Sequence, residues 1–359
     1  MSVLKIPRGV DSLSLKIVKR LSPEKDFESL IISRGVKSIE GNCFYDCKNL
    51  KSVTMPNSIT EICGWTFAEC INLKSINIPT KLTTIQHCTF YGCDSLESIT
   101  IPKSVTTIKH EAFSSCETLK SVTLSDSITF IDWYAFADCT SLESITIPKS
   151  VTFIGCGAFD NTPFIEKFPN DFVILGDNIL YKYKGNDNNI TIPNGVTKIC
   201  DCAFKSCKSL RSIVIPDSVT YIGEQAFERC SNLKDMVISN NITSIGYEAF
   251  KGCSKLKSIT IPDSVTYIGD NAFMNCKKLE NISIPSSITS IVKGMFKNCQ
   301  SLKNVIIPDG ITSIENCAFY GCISLESLNI PNSIVDIDDN AFYGCIDLKV
   351  SNFKRKKTK

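Results

Sequence analysis

Residues Leu256–Lys278 read LKSITIPDSVTYIGDNAFMNCKK, and this 23-residue unit is repeated through most of the 359-residue chain. Its Phe recurs at Phe44, Phe67, Phe90, Phe113, Phe136 and Phe159. It resumes at Phe204, Phe227, Phe250, Phe273, Phe296, Phe319 and Phe342, and only the step between Phe159 and Phe204 departs from 23. An internal repeat of this length predicts a solenoid, because one unit cannot bury its apolar face without stacking on its neighbours.

The unit divides into three parts. In LKSITIP, Ile259 and Ile261 alternate with Ser258 and Thr260, the period-2 pattern of a half-buried strand. Pro262 lacks an N–H and ends the ladder, and Asp263-Ser264 suits a turn. The second part, VTYIG, supplies Val265 and Ile268. The third, DNAFMNC, places Ala272, Phe273 and Cys276 at offsets that predict a single helical turn with one buried face.

Twelve of the 19 cysteines stand three residues after the repeat Phe, from Cys47 to Cys345. A residue locked to the repeat phase is a packing residue, and free Cys behaves as a small buried hydrophobe. Reduced core thiols are therefore expected, rather than a disulfide framework or metal ligands.

Leu256, Ile259, Ile261 and Val265 fill the apolar places of the pattern L-x-x-L-x-L-x-x-N/C-x-L, with Ser264 where Asn or Cys is usual. The wording IPxSVTxIGxxAFxxC resembles the BspA-like variety of leucine-rich repeat, over about nine-tenths of the chain by thirteen agreeing copies. The resemblance implies an α/β, right-handed leucine-rich-repeat solenoid with a parallel sheet on its concave face. Short helical turns and short second strands would lie on the other side. It also implies a secreted or cell-surface protein that binds host proteins, matrix or other cells, and it brings no catalytic motif.

The phase suggests five segments. Residues 1–43 read as an N-terminal cap with a degenerate repeat, including a short helix between Asp11 and Leu21 and a strand at Leu30–Ile32. Six repeats occupy 44–159, and 160–192 is an irregular repeat in which Phe172–Leu175 and Ile179–Tyr183 form a hairpin around Gly176-Asp177-Asn178. Seven repeats fill 193–350, and 351–359 is a basic tail. The irregular segment reads either as a tolerated insertion or as a lip marking a binding site.

Net charge is +2, from 39 basic and 37 acidic side chains, which gives no electrostatic case for nucleic acid. No run approaches the roughly 18 apolar residues of a membrane span. The N-terminal MSVLKIPRGVDSLSLKIVKRL lacks the apolar h-region of a secretory signal, so this sequence by itself predicts a cytoplasmic chain, against the surface location the resemblance implies. A monomer is expected.

No cofactor-binding or catalytic constellation is present in the sequence. His87 and His110 share a column with Trp133, and Cys88 adjoins His87, but the same column holds Gly64, Asp201, Lys293 and Asn316, which marks it as solvent-facing rather than a zinc site. Glu97, Glu143, Glu280 and Glu326 share a column with Lys51, Lys74, Lys120 and Lys257, a pattern of charge pairing across coils.

Two surfaces are candidates for binding. The outward strand positions Ser98, Thr100, Ser121, Thr123, Ser144 and Thr146 form a hydroxyl ladder that suits a repetitive ligand such as a glycan, although Ser and Thr are also ordinary on an exposed sheet. Phe130 and Phe153 share a column near Trp133 and Tyr134, and exposed aromatics anchor many protein interfaces, although the same ring can also cover a core edge. The expected function is a non-catalytic scaffold for a protein partner in adhesion or surface contact, with a carbohydrate or repetitive-surface binder as the alternative.

Overall fold

The computed structural model describes residues 2–351, so the basic tail from Asn352 onward lies outside the described residues. The chain divides into two compact units. The first runs to Pro169 and includes Leu175–Asp177; the second comprises Asn170–Ile174 and the chain from Asn178.

Within each unit the coils stack through parallel strands. The first strand of each coil is short, as in Ser98–Thr100, Ser121–Thr123 and Ser144–Ile145, and successive strands pair with a step of one repeat: Ser98 with Ser121, and Ser121 with Ser144. The second strands form another sheet, in which Thr84, Thr107, Phe130 and Phe153 are in register. In the second unit, Asn189, Ser212 and Asp235 align on the first sheet, and Lys198, Tyr221, Ser244 and Tyr267 on the second. The predicted core positions are buried: Leu256, Ile259, Ile261, Val265, Ile268, Ala272, Phe273 and Cys276. The N-terminal segment forms strands Val3–Ile6 and Ser29–Ile32 around the helix Leu15–Leu21, which Ser14 caps by accepting a hydrogen bond from the Ile17 N–H.

The third part of the repeat is not the helical turn its spacing predicts. Asn271 and Asn275 flank Phe273 at φ +58° and +63°, both in the left-handed region. The N–H groups of Asn271, Phe273 and Asn275 donate to the carbonyls of Lys293, Met295 and Lys297 on the next coil, at 2.9, 3.0 and 2.8 Å. A helical turn would direct these donors along its own axis. Stacking instead brings the next coil's carbonyls within reach, so the corner becomes a third hydrogen-bonded ladder. The buried face is the one the spacing predicts; the backbone that presents it is different.

The repeat phenylalanines stack ring on ring. In the first unit, Phe44 to Phe159 stand 5.2 to 5.8 Å apart, with Phe27 edge-on at one end (6.3 Å) and Phe164 edge-on at the other (5.5 Å). In the second, Phe204 to Phe342 stack at 4.9 to 5.8 Å. The irregular segment carries no Phe in phase, yet Tyr183 stands 5.4 Å from Phe204 and donates its N–H to the Ala203 carbonyl at 2.9 Å. A tyrosine in a shorter coil thus takes the phenylalanine's place. The strands Phe172–Leu175 and Ile179–Tyr183 have the expected bounds, and Val173, Leu180 and Tyr183 are core residues.

The repeat cysteines have a specific role. The thiol of Cys276 donates to the Phe250 carbonyl of the preceding coil at 3.2 Å, and that geometry recurs at Cys70, Cys93, Cys116, Cys139, Cys230, Cys253, Cys299, Cys322 and Cys345. Cysteine is small and apolar enough for the core, and its weak donor reaches a second lone pair of a buried carbonyl. Burial pushes the Cys139 and Cys276 thiols up to about 12. The thiols of the repeat column are free, as their phase predicts. Where Thr162 replaces the repeat Cys, its hydroxyl donates to the Phe159 carbonyl of its own coil at 2.7 Å and caps the helix Pro163–Glu166.

Candidate functional site

Strand alternation turns Ile99, Val122 and Ile145 into the core and leaves Ser98, Thr100, Ser121, Thr123, Ser144 and Thr146 exposed on the other face. Ser98, Ser121 and Ser144 are in register, as are Thr100 and Thr123. Elsewhere on the first sheets such side chains bond to one another: the Ser29 and Ser52 hydroxyls are 2.8 Å apart, and the Ser212 hydroxyl donates to Asn189 at 2.7 Å. Over the three coils from Ser98 to Thr146, no side-chain hydrogen bond among the described residues engages these six hydroxyls. They are available to a ligand.

The last strand of that sheet is bordered by the short helix Pro163–Glu166, whose Phe164 N–H donates to the Leu142 carbonyl at 2.9 Å. Between helix and strand lies an open pocket of about 430 Å³. Its floor carries Ser121, Ser144 and Thr146; Phe164, Phe168 and Pro169 form the wall; Glu143 and Lys167 close it as an ion pair at 2.9 Å. The hydrogen bond from Lys167 holds the Glu143 carboxyl below its ordinary range. The structure therefore brings half of the hydroxyl ladder together with the start of the irregular segment.

The aromatic candidates belong elsewhere. Phe130 and Phe153 lie on the second sheet, half-buried and stacked at 4.4 Å, with the Lys109 ammonium 5.2 Å from the Phe130 ring centre. Trp133 and Tyr134 lie on the corner, where each covers a glycine of the next coil. A Cβ at Gly155 would sit 2.2 Å from Trp133 Cδ1, and one at Gly157 would sit 2.4 Å from the Tyr134 ring. These rings fill notches between coils, and no single binding face joins them to the hydroxyl ladder. Sequence reading missed a further cluster on the corner of the first unit: Trp65 lies 6.3 Å from Tyr45 and 5.9 Å from Tyr91. The signal was their fixed offsets of −2 and +1 from the repeat Phe.

His87 is exposed and lies over Gly64, while His110 stands 3.5 Å from Glu111 and edge-on to Tyr134. Among the described residues, no three His, Cys, Asp or Glu side chains are grouped to hold a metal ion. Three carboxylates are buried, Asp201, Glu228 and Glu248, and Asp201 thereby departs from the solvent-facing reading of its column. Glu228 pairs with Lys205 at 2.9 Å and Arg229 at 3.4 Å. Burial raises Glu248, but hydrogen bonds from Lys251, Tyr247 and Gln225 outweigh it and leave the carboxyl below its ordinary range. A carboxylate held ionised in this way, as Glu248 is, acts as a structural anchor rather than as a proton donor.

The family model described as BspA type leucine rich repeat region (6 copies) matches residues 21–139, 60–184, 173–299 and 266–359. No curated protein matches the chain. Among solved structures, the chain is similar to a leucine-rich repeat protein from Eubacterium ventriosum at 21% identity, covering 99% of this chain and 93% of that one, with a TM-score of 0.52. That likeness shows the fold. Two others share 31% identity: a leucine-rich repeat protein from Bacteroides ovatus, covering 97% and 91% with a TM-score of 0.46, and a leucine rich cell surface protein from Faecalibacterium prausnitzii, covering 85% and 87% with a TM-score of 0.44. No helix among the described residues is long and apolar enough to cross a membrane.

Proposed function

The chain belongs to the BspA-type leucine-rich-repeat family, and from that premise we propose that it is a non-catalytic scaffold that binds a protein partner in adhesion or surface contact. The observation that supports this reading is the outer face of the first sheets. There, one exposed row of side chains per coil stands in register with the next, as in Ser98, Ser121 and Ser144. A partner laid across such rows meets several coils at once, so modest contacts add along the stack.

One observation favours a second reading. The unengaged hydroxyls of Ser121, Ser144 and Thr146, the Phe164 and Phe168 wall and the Glu143–Lys167 pair together offer donors, acceptors and an apolar surface at the pocket, which is the chemistry a glycan uses. The test is to present the immobilised chain with arrays of extracellular proteins and of glycans. The variant S98K/T100K/S121K/T123K is carried alongside. Protein capture is the expected result. Glycan capture alone, lost in the variant, would replace the first reading with the second. Capture of neither would remove both.

A further inference from the structure

The residue just before most first strands is charged, and the two units use this column differently. In the first unit its members pair across coils. Lys51 meets Glu28 at 3.0 Å, Lys120 meets Glu97 at 3.1 Å, and Glu143 meets Lys167 from beyond the column; among the described residues Lys74 makes no ion pair. In the second unit, three consecutive coils place Arg211, Lys234 and Lys257 in that column, all exposed. The Lys234 N–H donates to the Arg211 carbonyl at 2.8 Å, while Lys257 opens the next sheet, where the Glu280 N–H donates to its carbonyl at 3.0 Å. Among the described residues none of the three has an ion-pair partner. Lys208 and Lys255 add two exposed cations beside them, and Asp235 is the one acid within the same three first strands.

Like charges one coil apart, about 4.8 Å, repel and are not screened from one another at a Debye length of about 8 Å. A chain whose charges nearly balance thus concentrates cations on one strip. The strip is also apolar along its outer row. Val214 and Val237 are paired in register and are 44% and 63% exposed, where the first unit has Thr100, Thr123 and Thr146. Exposed aliphatic side chains beside cations offer little to a polysaccharide. No aromatic row lies along these strands on which nucleic-acid bases could stack. They do suit a protein surface that alternates acidic and aliphatic residues.

We infer that the face formed by Arg211, Lys234 and Lys257 with Val214 and Val237 docks an acidic protein segment. The inference rests on the protein-binding reading above and assigns that partner a site and a charge. Cations would steer the encounter, and the two valines would be covered in the bound state.

The experiment measures binding of the full chain to four probes at low and at high salt: a synthetic peptide alternating Glu and Val, one alternating Lys and Val, heparin, and a DNA duplex. The expected result is binding of the Glu–Val peptide only, weakened about tenfold or more by salt. R211E/K234E/K257E should abolish it, and the charge-neutral R211Q/K234Q/K257Q guards against a folding defect. V214S/V237S should weaken binding several-fold while leaving its salt dependence, and K51E/K120E should leave it unchanged. Equal loss in K51E/K120E, or binding that survives charge reversal, overturns the inference. Heparin or DNA binding as tight as the peptide's, lost in the same reversal, also overturns it in favour of a polyanion. If the peptide fails while S98K/T100K/S121K/T123K still abolishes capture of a purified protein, the scaffold reading stands and this inference alone falls.

Discussion

The two units are built on one core and carry two different faces. The Phe113 and Phe250 rings each stack on their successors at 5.2 and 5.3 Å, and the Cys139 and Cys276 thiols each reach a Phe carbonyl of the preceding coil at 3.1 and 3.2 Å. Outside, the first unit pairs Lys120 with Glu97 and presents Thr100, Thr123 and Thr146, whereas the second presents Val214 and Val237 and leaves Arg211, Lys234 and Lys257 without an ion pair among the described residues. Interior positions are held by close packing, where one methylene is felt. Exterior positions experience only water and one another, so they can diverge without disturbing the stack. The difference between the units is therefore one that folding does not impose.

The largest test of that comparison is in the shared core. Phe136→Ala and Phe250→Ala should each cost about 3–5 kcal/mol, because each ring is stacked on both sides and the neighbours cannot close over the gap. Native-state hydrogen exchange should then accelerate through Leu119–Ile154 for the first variant and through Leu210–Ile245 for the second. Acceleration of both windows in either variant would show that the two units open together.

A smaller and equal effect is expected from the cysteine column. Cys139→Ala and Cys276→Ala should each cost about 1–2 kcal/mol near neutral pH, through lost packing and a lost second partner for a buried carbonyl. Burial pushes the folded thiols up to about 12, above the ordinary thiol value of 9.0. A raised folded pKa means that the thiols' contribution is complete below 9.0 and is lost as pH rises toward 12. Denaturation midpoints should fall with alkaline pH in the parent, and less steeply in both variants. A steeper fall in one variant than in the other would show that the cores are not equivalent.

The smallest effect concerns the faces, and there the sign decides. Lys120→Gln removes a paired cation and Lys234→Gln an unpaired one, each within about 0.5 kcal/mol. At low salt the first should be neutral or destabilising and the second neutral or stabilising. The reverse order would mean that the second unit's cations are compensated after all.

Much of the architecture was readable in one repeat. The alternation of Ser258, Ile259, Thr260 and Ile261 set which side chains face inward, and the phase-locked Cys276 announced a packing role. The corner was misread as helical because offsets of one and three from Phe273 suit both a helical turn and a chain of left-handed bends. The overlooked clue lay at offsets of −2 and +2, where Gly, Asn and Asp recur, as in Gly157, Asn271, Gly252 and Asn275, all with positive φ. Tyr183 was missed because a search for a Phe at a step of 23 does not find a tyrosine in a shortened coil. At the candidate site the hydroxyl ladder was legible from strand period, but the pocket beside it was not. Its wall comes from Phe164, Phe168 and Pro169, which the repeat does not align with anything.

The sequence by itself determined the coil: its length, its inward residues and its stacking partner, since each repeats at a fixed interval and local chemistry suffices to read it. Only the tertiary structure decided what lies between coils. Whether Lys120 meets an acid, whether Trp133 covers a glycine, and whether Phe273 donates its N–H along a helix or to the next coil are all settled by atoms about 23 residues away in the chain. Such contacts depend on distances across a stack spaced at about 4.8 Å, and that spacing is a property of the assembled coils rather than of any one of them.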